Sequence, residues 1–556
     1  MKSLLHTAAL ALVLQAPGIA MAASPLEGKV SSAQEPVMEG VLVSAKLKGS
    51  NMTTTVVSDD NGHYAFPDGR LKPGQYDITI RAANYELPPT TAQIAAGKPT
   101  TLDIALKKAV DPSTQLSNAE WMESVPGTEK QRQYMEDCVD CHTLERVFKS
   151  THTSAEFMEV FDKMATFMPG SVPGHPQTVN GAAFRRSGTA AAKKSQADFL
   201  ASVNLSGDRE DFRYQFKRLP RPKGRATRVV ITEWDLPREE SHPHDVMLDK
   251  AGNAWYADFS SQYIGMLDPK TGKVTDYKLP EPKPGAPTGA LDLEADKDGN
   301  FWVSMQHQTG LVKFDTRTKK ITHYPVPDEW QTLRTQQAFV APEYAHIDGK
   351  VWTSNQDQRT ILRLDIKTGK YEDFGKYIDA NGEQLGTYGI PADKNNNLYL
   401  LEFRQLVKGD ASVGGSSIGF IDGKTKEYTV YPTPTPEARP RRGRVDSENR
   451  LWFAEYRGNA IGMFDPKTKE IKEWKLPTKW SGPYDVMMDK TGAAWTASMM
   501  TDQVDRLDPK TGTWVEYLLP RQSNIRRVWV DDTQARPPLW IGSVHGGSII
   551  RLEPLD

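Results

Sequence analysis

The sequence predicts a multidomain, mainly β protein: an N-terminal β-sandwich, a small α-helical domain and a C-terminal seven-bladed β-propeller. Three observations carry this expectation. Short alternating apolar runs separated by turn residues continue to about residue 107, the texture changes to helical spacing between 117 and 206, and a repeat runs from Arg228 to the end. At 556 residues the chain is also too long for a single hydrophobic core. Its formal charge of −2 removes the whole-chain electrostatic case for a nucleic-acid partner.

The chain begins with Lys2, an apolar run from Leu4 to Leu14, and Ala20-Met21-Ala22, the layout of a secretory signal spanning residues 1–22 and cleaved near Ala22. That run is shorter than the ~20 apolar residues of a spanning helix, and no later stretch is apolar enough to replace it. An exported, periplasmic protein without a membrane span is expected.

Residues 26–107 read as a small β-sandwich. The runs Gly40 to Leu47, Thr53 to Val57, Tyr76 to Arg81 and Thr101 to Leu106 are separated by turn chemistry at Asp59-Asp60-Asn61-Gly62 and Lys72-Pro73-Gly74. The segment Ser58 to Phe66, with Pro73-Gly74-Gln75-Tyr76 and Asn84-Tyr85, resembles the carboxypeptidase regulatory-like module. The resemblance implies an accessory or interaction role, and no catalytic constellation appears in this stretch.

Between 117 and 206, Met135, Val147, Phe148, Phe157, Val160, Phe161 and Met164 recur at helical spacing, a final helix spans about Ala190 to Val203, and Pro169 to Pro176 forms a loop. Residues 207–227, with Pro220, Pro222 and Gly224 among basic residues, read as a linker. The chain has two cysteines, both in Cys138-Val139-Asp140-Cys141-His142. Two thiols at this spacing meet the two vinyl groups of a haem, and the histidine that follows lies beneath the iron. One covalent haem c is therefore expected, held by Cys138 and Cys141 and ligated by His142. Methionine as sixth ligand suits electron transfer; Met164 is preferred, with Met168, His152 and His175 as alternatives. Tyr134 to Leu144, Ser150-Thr151-His152 and the Phe157 to Met164 helix together resemble the small cytochrome c domains of periplasmic haem enzymes.

From 228 to 556 the motif Asp268-Pro-Lys-Thr-Gly-Lys-Val returns at Asp315, Asp365, Asp422, Asp465 and Asp508, with spacings of 43 to 57 residues, the length of a four-stranded blade. Seven second-strand aromatics, Trp255, Trp302, Trp352, Tyr399, Trp452, Trp495 and Trp540, give seven blades. The outer-strand motif also occurs once ahead of every blade, as Glu233-Trp234-Asp235-Leu236-Pro237, and the last copy lacks it. The strand near Val229 to Trp234 is thus expected to complete the seventh blade and leave no open edge.

Counting back five positions from the Asp that closes each innermost strand gives His244, Leu291, Glu343, Tyr388, Arg441, Tyr484 and Arg526, expected as a ring at the channel mouth. Counting forward from the aromatics adds Asp258, Asn355, Glu402 and Glu455 at the third position and His307 and His545 at the fifth. A mouth holding His244, Glu343, Tyr388, Glu402, Glu455 and His545 offers acid, base and cation for proton transfer on a small anionic or phenolic substrate, or for a metal. Arg439, Arg441, Arg442 and Arg444 either bind a carboxylate or form a solvated patch. The Asp296-Lys-Asp298-Gly299-Asn300 segment lacks the downstream bidentate Glu of a calcium loop and reads as a turn.

The blades, most clearly Leu451 to Gly462, resemble the virginiamycin B lyase (streptogramin lyase) family of seven-bladed propellers. The resemblance implies chemistry by a His and Glu residues with magnesium near the channel. Only His545 and the Glu positions match loosely, no full catalytic set can be placed, and a lyase has no need of haem. The leading expectation is an oxidoreductase whose mouth binds substrate and whose haem relays electrons to a soluble redox partner such as another cytochrome or a cupredoxin. The alternatives are a non-catalytic electron-transfer or partner-binding protein and a metal-dependent lyase.

Overall fold

The computed structural model of the chain describes residues 24–179, 190–207, 211–356, 358–405 and 414–556. The expected signal, residues 1–22, lies outside them. The chain is mainly β, with an N-terminal sandwich, a helical segment and a C-terminal propeller. No helix among the described residues is long and apolar enough to cross a membrane.

In the sandwich, Leu26–Ser32 pairs with Ile104–Lys108 and His63–Ala65 in one sheet, and Leu42–Leu47 pairs with Met52–Val57 and Gly74–Arg81 in the other. Leu26, Val30, Val43, Tyr64, Tyr76, Ile78 and Ile104 fill the space between them, as strand alternation requires.

The propeller has seven four-stranded sheets. The seventh combines Ile525–Val530, Leu539–Ser543 and Ser548–Pro554 with Val229–Asp235, which pairs with Ser548–Pro554 over its whole length, from Val229 opposite Pro554 to Asp235 opposite Ser548. Start and end of the propeller are joined as expected. The other edge of Val229–Asp235 is covered as well. It pairs with Met52–Val57 of the sandwich, so blade 7 and one sandwich sheet form a single eight-stranded sheet. Val230 packs into the sandwich core while Val229 and Ile231 pack into the propeller, which locks the two domains side by side.

The repeated Asp and Trp serve one purpose. Asp249 Oδ1 accepts the Ala251 and Asn253 amides across the turn, and its Oδ2 accepts the Trp255 indole N–H at 2.9 Å. Asp296 with Trp302, Asp446 with Trp452 and Asp489 with Trp495 repeat the indole bond at 3.0, 2.9 and 2.8 Å. The Asp296 segment is accordingly a turn whose carboxylate is already engaged.

Between sandwich and propeller, helices Asn118–Ser124, Glu129–Gln133, Leu144–Phe148, Ser154–Met164 and Ala190–Val203 surround a 3-10 turn, Tyr134–Asp140, that leads into Cys141. Capping boxes at Ser117 and Glu120, Thr128 and Gln131, and Thr153 and Glu156 start three of these helices. Part of the stretch expected as a linker is packed: Phe212 and Phe216 lie edge-on to Trp121. The core of this segment, with Trp121, Met135, Val139, Phe148 and Leu200, runs without a break into Phe403, Tyr456, Tyr484, Met499 and Met500 of the propeller. The helical segment is a cap seated on one end of the channel.

Candidate functional site at the capped channel mouth

The innermost strands are bulged. Register slips fall between Pro243 and Asp245, Gln337 and Val340, Pro440 and Gly443, Pro483 and Val486, and Ile525 and Val528. A bulge leaves a residue unpaired and re-aims its neighbours, and here it gives consecutive residues to two layers of the channel.

The upper layer contains His244, Leu291, Ala338, Tyr388, Arg441, Tyr484 and Arg526. The Tyr388 and Tyr484 hydroxyls are hydrogen-bonded to each other, Tyr484 Oη lies 2.8 Å from His244 Nε2, and His244 Nδ1 lies 2.6 Å from Asp245 Oδ1. Burial and the charges of Arg442, Arg526, Arg527 and Arg441 hold the His244 pKa well below its usual value. The ring is neutral, so Nδ1 donates to Asp245 and Nε2 accepts from Tyr484. Burial pushes the Tyr388 phenol up, but Arg441, Arg442 and Arg526 outweigh it and bring Tyr388 below the ordinary tyrosine range. Tyr484 is raised, by burial and by Tyr388. The Arg441 guanidinium lies 3.9 Å from the Tyr484 ring centroid and 4.7 Å from those of Tyr388, Phe403 and Tyr456.

The lower layer is ionic and closes the channel. Arg442 Nη1 reaches Asp292 at 2.6 Å, Arg444 Nη1 reaches Asp485 at 3.0 Å, and Arg527 contacts Asp485 at 2.8 Å, Asp292 at 2.8 Å and Asp245 at 3.0 Å, together with Glu294. Arg439 leaves the channel and meets Glu136 of the cap at 3.1 Å, where Arg457 joins it. Three of the four clustered arginines thus bind carboxylates of this chain. Arg527, Asp245 and Asp292 were not legible as members of this network; the signal for it is the paired residue after each bulge, as in Arg441-Arg442, Tyr484-Asp485 and Arg526-Arg527.

Several expected mouth residues lie elsewhere. Glu343 is at the far end of the channel, beside Asp292, Glu294, Arg442, Arg444 and Arg527. Blade 3 ends its inner strand at Ala341 and does not begin the next until Lys350, so counting back five from Asp348 stops short of the ring position, which Ala338 occupies. Burial and Glu294 push Glu343 up to about 7. Glu402 is buried inside blade 4, with Oε2 accepting the Ser416 amide at 2.9 Å, and is raised to about 8 by burial and Asp379. Glu455 is buried in blade 5 beside Glu473 and raised well above its usual value by burial. Both side chains lie within their blades and do not line the mouth cavity. Asp258 does the same and binds Arg238. His307 is buried in the turn of blade 2 and does not line the mouth cavity. Asn355 does line it.

Cap and propeller enclose two spaces on either side of the cysteine motif. The mouth cavity, about 280 Å³, is lined by Asp140 and Pro169 from the cap and by Phe259, Tyr388, Arg441 and Arg526 from the propeller. A more open crevice of about 540 Å³ is lined by Cys141, His142, His175, Glu239 and His545. The strip between them is held by the mouth: Val139 O accepts from Asn524 Nδ2 at 2.7 Å and from His545 Nε2 at 3.0 Å, and Asp140 O accepts from Arg526 Nη2 at 2.9 Å. Burial and Arg526 lower His545 to about 3, so its ring is neutral. His142 Nδ1 is 3.0 Å from Thr143 O, so Nδ1 carries a proton and donates it there. Of the residues expected as sixth ligand, Met164 is 36% exposed on the last turn of its helix. Met168 is buried, with its sulfur accepting the Gly170 amide at 2.8 Å. His152 packs edge-on to Phe157. His175 is the one that lines the crevice with His142.

The architecture defines the chain as a capped seven-bladed propeller joined edge to edge to a β-sandwich. Residues 284–554 match the virginiamycin B lyase family, and residues 25–107 match the carboxypeptidase regulatory-like domain. No functionally curated protein matches the chain. Among solved structures, virginiamycin B lyase from Staphylococcus aureus is 20% identical, with a TM-score of 0.48, covering 58% of this chain and 99% of its own. A streptogramin B lyase structure is likewise 20% identical, with a TM-score of 0.49, covering 59% and 99%.

Proposed function

We propose that the chain is an exported haem c oxidoreductase that takes a small substrate into the mouth cavity and passes its electrons, through a haem borne by the cap, to a soluble redox partner such as another cytochrome or a cupredoxin. The observation that carries this reading is the position of the motif: Asp140 lines the mouth cavity and the next residue, Cys141, lines the crevice. A cofactor attached at Cys138 and Cys141 would share a wall with the substrate space.

The donor set fits the group. The crevice volume lies within the ~300–1,000 Å³ of cofactor-sized sites, and the Thr143 carbonyl orients His142 as an axial ligand's second hydrogen bond does. Cys138 and Cys141 would hold the haem covalently, His142 would be the fifth ligand, and His175, rather than the Met164 expected from sequence, the sixth. When bound, the haem supplies one-electron chemistry. The remaining work belongs to the chain. The cap excludes bulk water from the mouth, Arg441 and Arg526 place a cationic surface against the substrate, and the neutral His244 fixes Tyr484 beside Tyr388.

The test is an optical spectrum of protein matured in a periplasm with haem-attachment machinery. A covalent haem with a sharp reduced α-band, lost in Cys138→Ser/Cys141→Ser and converted to a five-coordinate spectrum in His175→Ala, is expected. Full maturation conditions with no covalent haem would remove the proposal. Turnover without a change of haem oxidation state would redirect it to a lyase, and tight binding of a redox partner without turnover to a carrier.

A further inference from the structure

Within the run Arg439 to Arg444, Arg439 is bound to Glu136, Arg442 to Asp292 and Arg444 to Asp485. Arg441 is different. It is 4% exposed, its Nε makes no hydrogen bond, and Nη1 reaches only the sulfur of Met499 at 3.1 Å. Among the described residues it has no carboxylate partner, yet it lines the mouth cavity inside a box of four aromatic rings. A guanidinium taken out of water without an anion is costly. Rings facing its planar surface offset part of that cost, but they leave its edge donors unused. A site built this way is completed by an anion that brings oxygens to the donors and a flat apolar body to the rings.

We infer that the mouth cavity is a receptor for a planar aromatic anion, an aryl carboxylate or a phenolate, held by Arg441. This rests on the reading of the mouth as the substrate site and adds the substrate's chemical class. The rest of the lining agrees. Arg334 and Arg404 stand on the cavity wall with Tyr377, while Phe259, Leu291 and Phe339 supply apolar surface. The charged groups facing Tyr388 are Arg441, Arg442 and Arg526 from blades 5 and 7. From the cap, Glu136 and Asp140 close the cavity, and Glu136 is already engaged by Arg439 and Arg457.

The hydroxyl chain runs one way: Tyr484 donates to His244 Nε2, so Tyr388 donates to Tyr484 Oη and keeps its phenol proton. Arg441 is then the group left to meet the negative oxygens of a ligand. An aryl carboxylate, already ionised, binds with no proton exchange, whereas a phenol bound as its phenolate releases one proton to water. The two ligand types differ by one proton released per molecule bound.

Titration calorimetry of the full-length protein in buffers of different ionisation enthalpy reads this directly, without relying on the haem. The probes are benzoate, phenol and the neutral isostere benzyl alcohol. Benzoate should bind without proton exchange, phenol should bind with release approaching one proton, and benzyl alcohol should bind at least tenfold more weakly than benzoate. Arg441→Gln should weaken benzoate about thirtyfold, equivalent to ~2 kcal/mol. Equal binding of benzoate and benzyl alcohol by the wild type would overturn the inference whatever the variants do, as would benzoate affinity unchanged in Arg441→Gln. A protein that lacks covalent haem but binds benzoate through Arg441 would remove the redox reading and leave this one standing.

Discussion

Arg441 and Arg442 are adjacent in sequence, equally buried, and in opposite chemical settings. Arg442 sits in the lower layer of the channel, within 2.6 Å of Asp292. Arg441 sits in the upper layer among rings, and among the described residues no acid is paired with it. The bulge between Pro440 and Gly443 separates them by aiming one side chain at the mouth and the next into the plug. The difference teaches that this channel has a structural layer, in which every charge has its counterpart, and a layer built for something else. A propeller needs its axis filled, and the ionic layer does that. Nothing in closing the channel requires the layer above it to hold an arginine without an acid.

The comparison is broken most directly by removing the hub of the plug. Arg527→Met leaves Asp245, Asp292, Asp485 and Glu294 short of a cation in a buried site, and truncating one partner of such a network costs about 3–5 kcal/mol. Denaturant midpoints at neutral pH should fall accordingly, and a loss below ~1 kcal/mol would mean that the network does not hold the axis. Glu136→Gln tests the contact between cap and mouth, because it strips the charge partner from Arg439, which is fully buried, and from Arg457. A loss of ~1.5–3 kcal/mol is expected, with faster proteolytic cutting within the cap than within the blades.

The two layers also mark how far the sequence could be read. The blades were legible because the turn motif beginning at Asp268 and a second-strand aromatic recur along the chain, and in four blades the structure gives the aromatic its reason: a carboxylate such as that of Asp249 holds both its turn and the indole of Trp255. Closure was legible because a spare outer strand at Val229 matched a missing one at the end. The mouth was legible only in part. His244, Tyr388, Arg441, Tyr484 and Arg526 were found by counting, since the bulge keeps its place in those blades. Glu343 was misplaced because blade 3 lengthens one turn, and Glu402 and Glu455 because position along a strand does not reveal which face is turned inward. The seating of the cap was not legible at all. It depends on contacts such as Glu136 with Arg439, 303 residues apart, for which no local pattern exists.

A smaller effect separates the layers by pH. Glu343 and Glu294 line the same space at the far end of the plug; burial raises both, with Glu294 adding to the rise of Glu343 and Asp292 to that of Glu294. A carboxyl whose folded pKa is raised favours the folded state while it is neutral. Its contribution is complete below the ordinary value of 4.5 and is lost as pH rises through about 7. The midpoint of unfolding should decline across that window, and Glu343→Gln, neutral at every pH, should flatten the decline. An unchanged slope in the variant would place the titrating group elsewhere.

The smallest expected change is the most informative. Arg441→Met removes a buried cation, as Arg442→Met does, but it strands no acid, because among the described residues none is paired with it. The loss of ring contacts is set against the desolvation of a guanidinium that no longer has to be buried, and methionine fills much of the same space. The net change should lie within about 1 kcal/mol, whereas Arg442→Met should cost about 3 kcal/mol or more by leaving Asp292 short of a partner. Side-by-side denaturation of the two variants measures the difference. If Arg441→Met proves as damaging as its neighbour, Arg441 is part of the scaffold. If it is close to neutral in stability yet abolishes benzoate binding, then burying this charge is a cost the fold bears for its ligand.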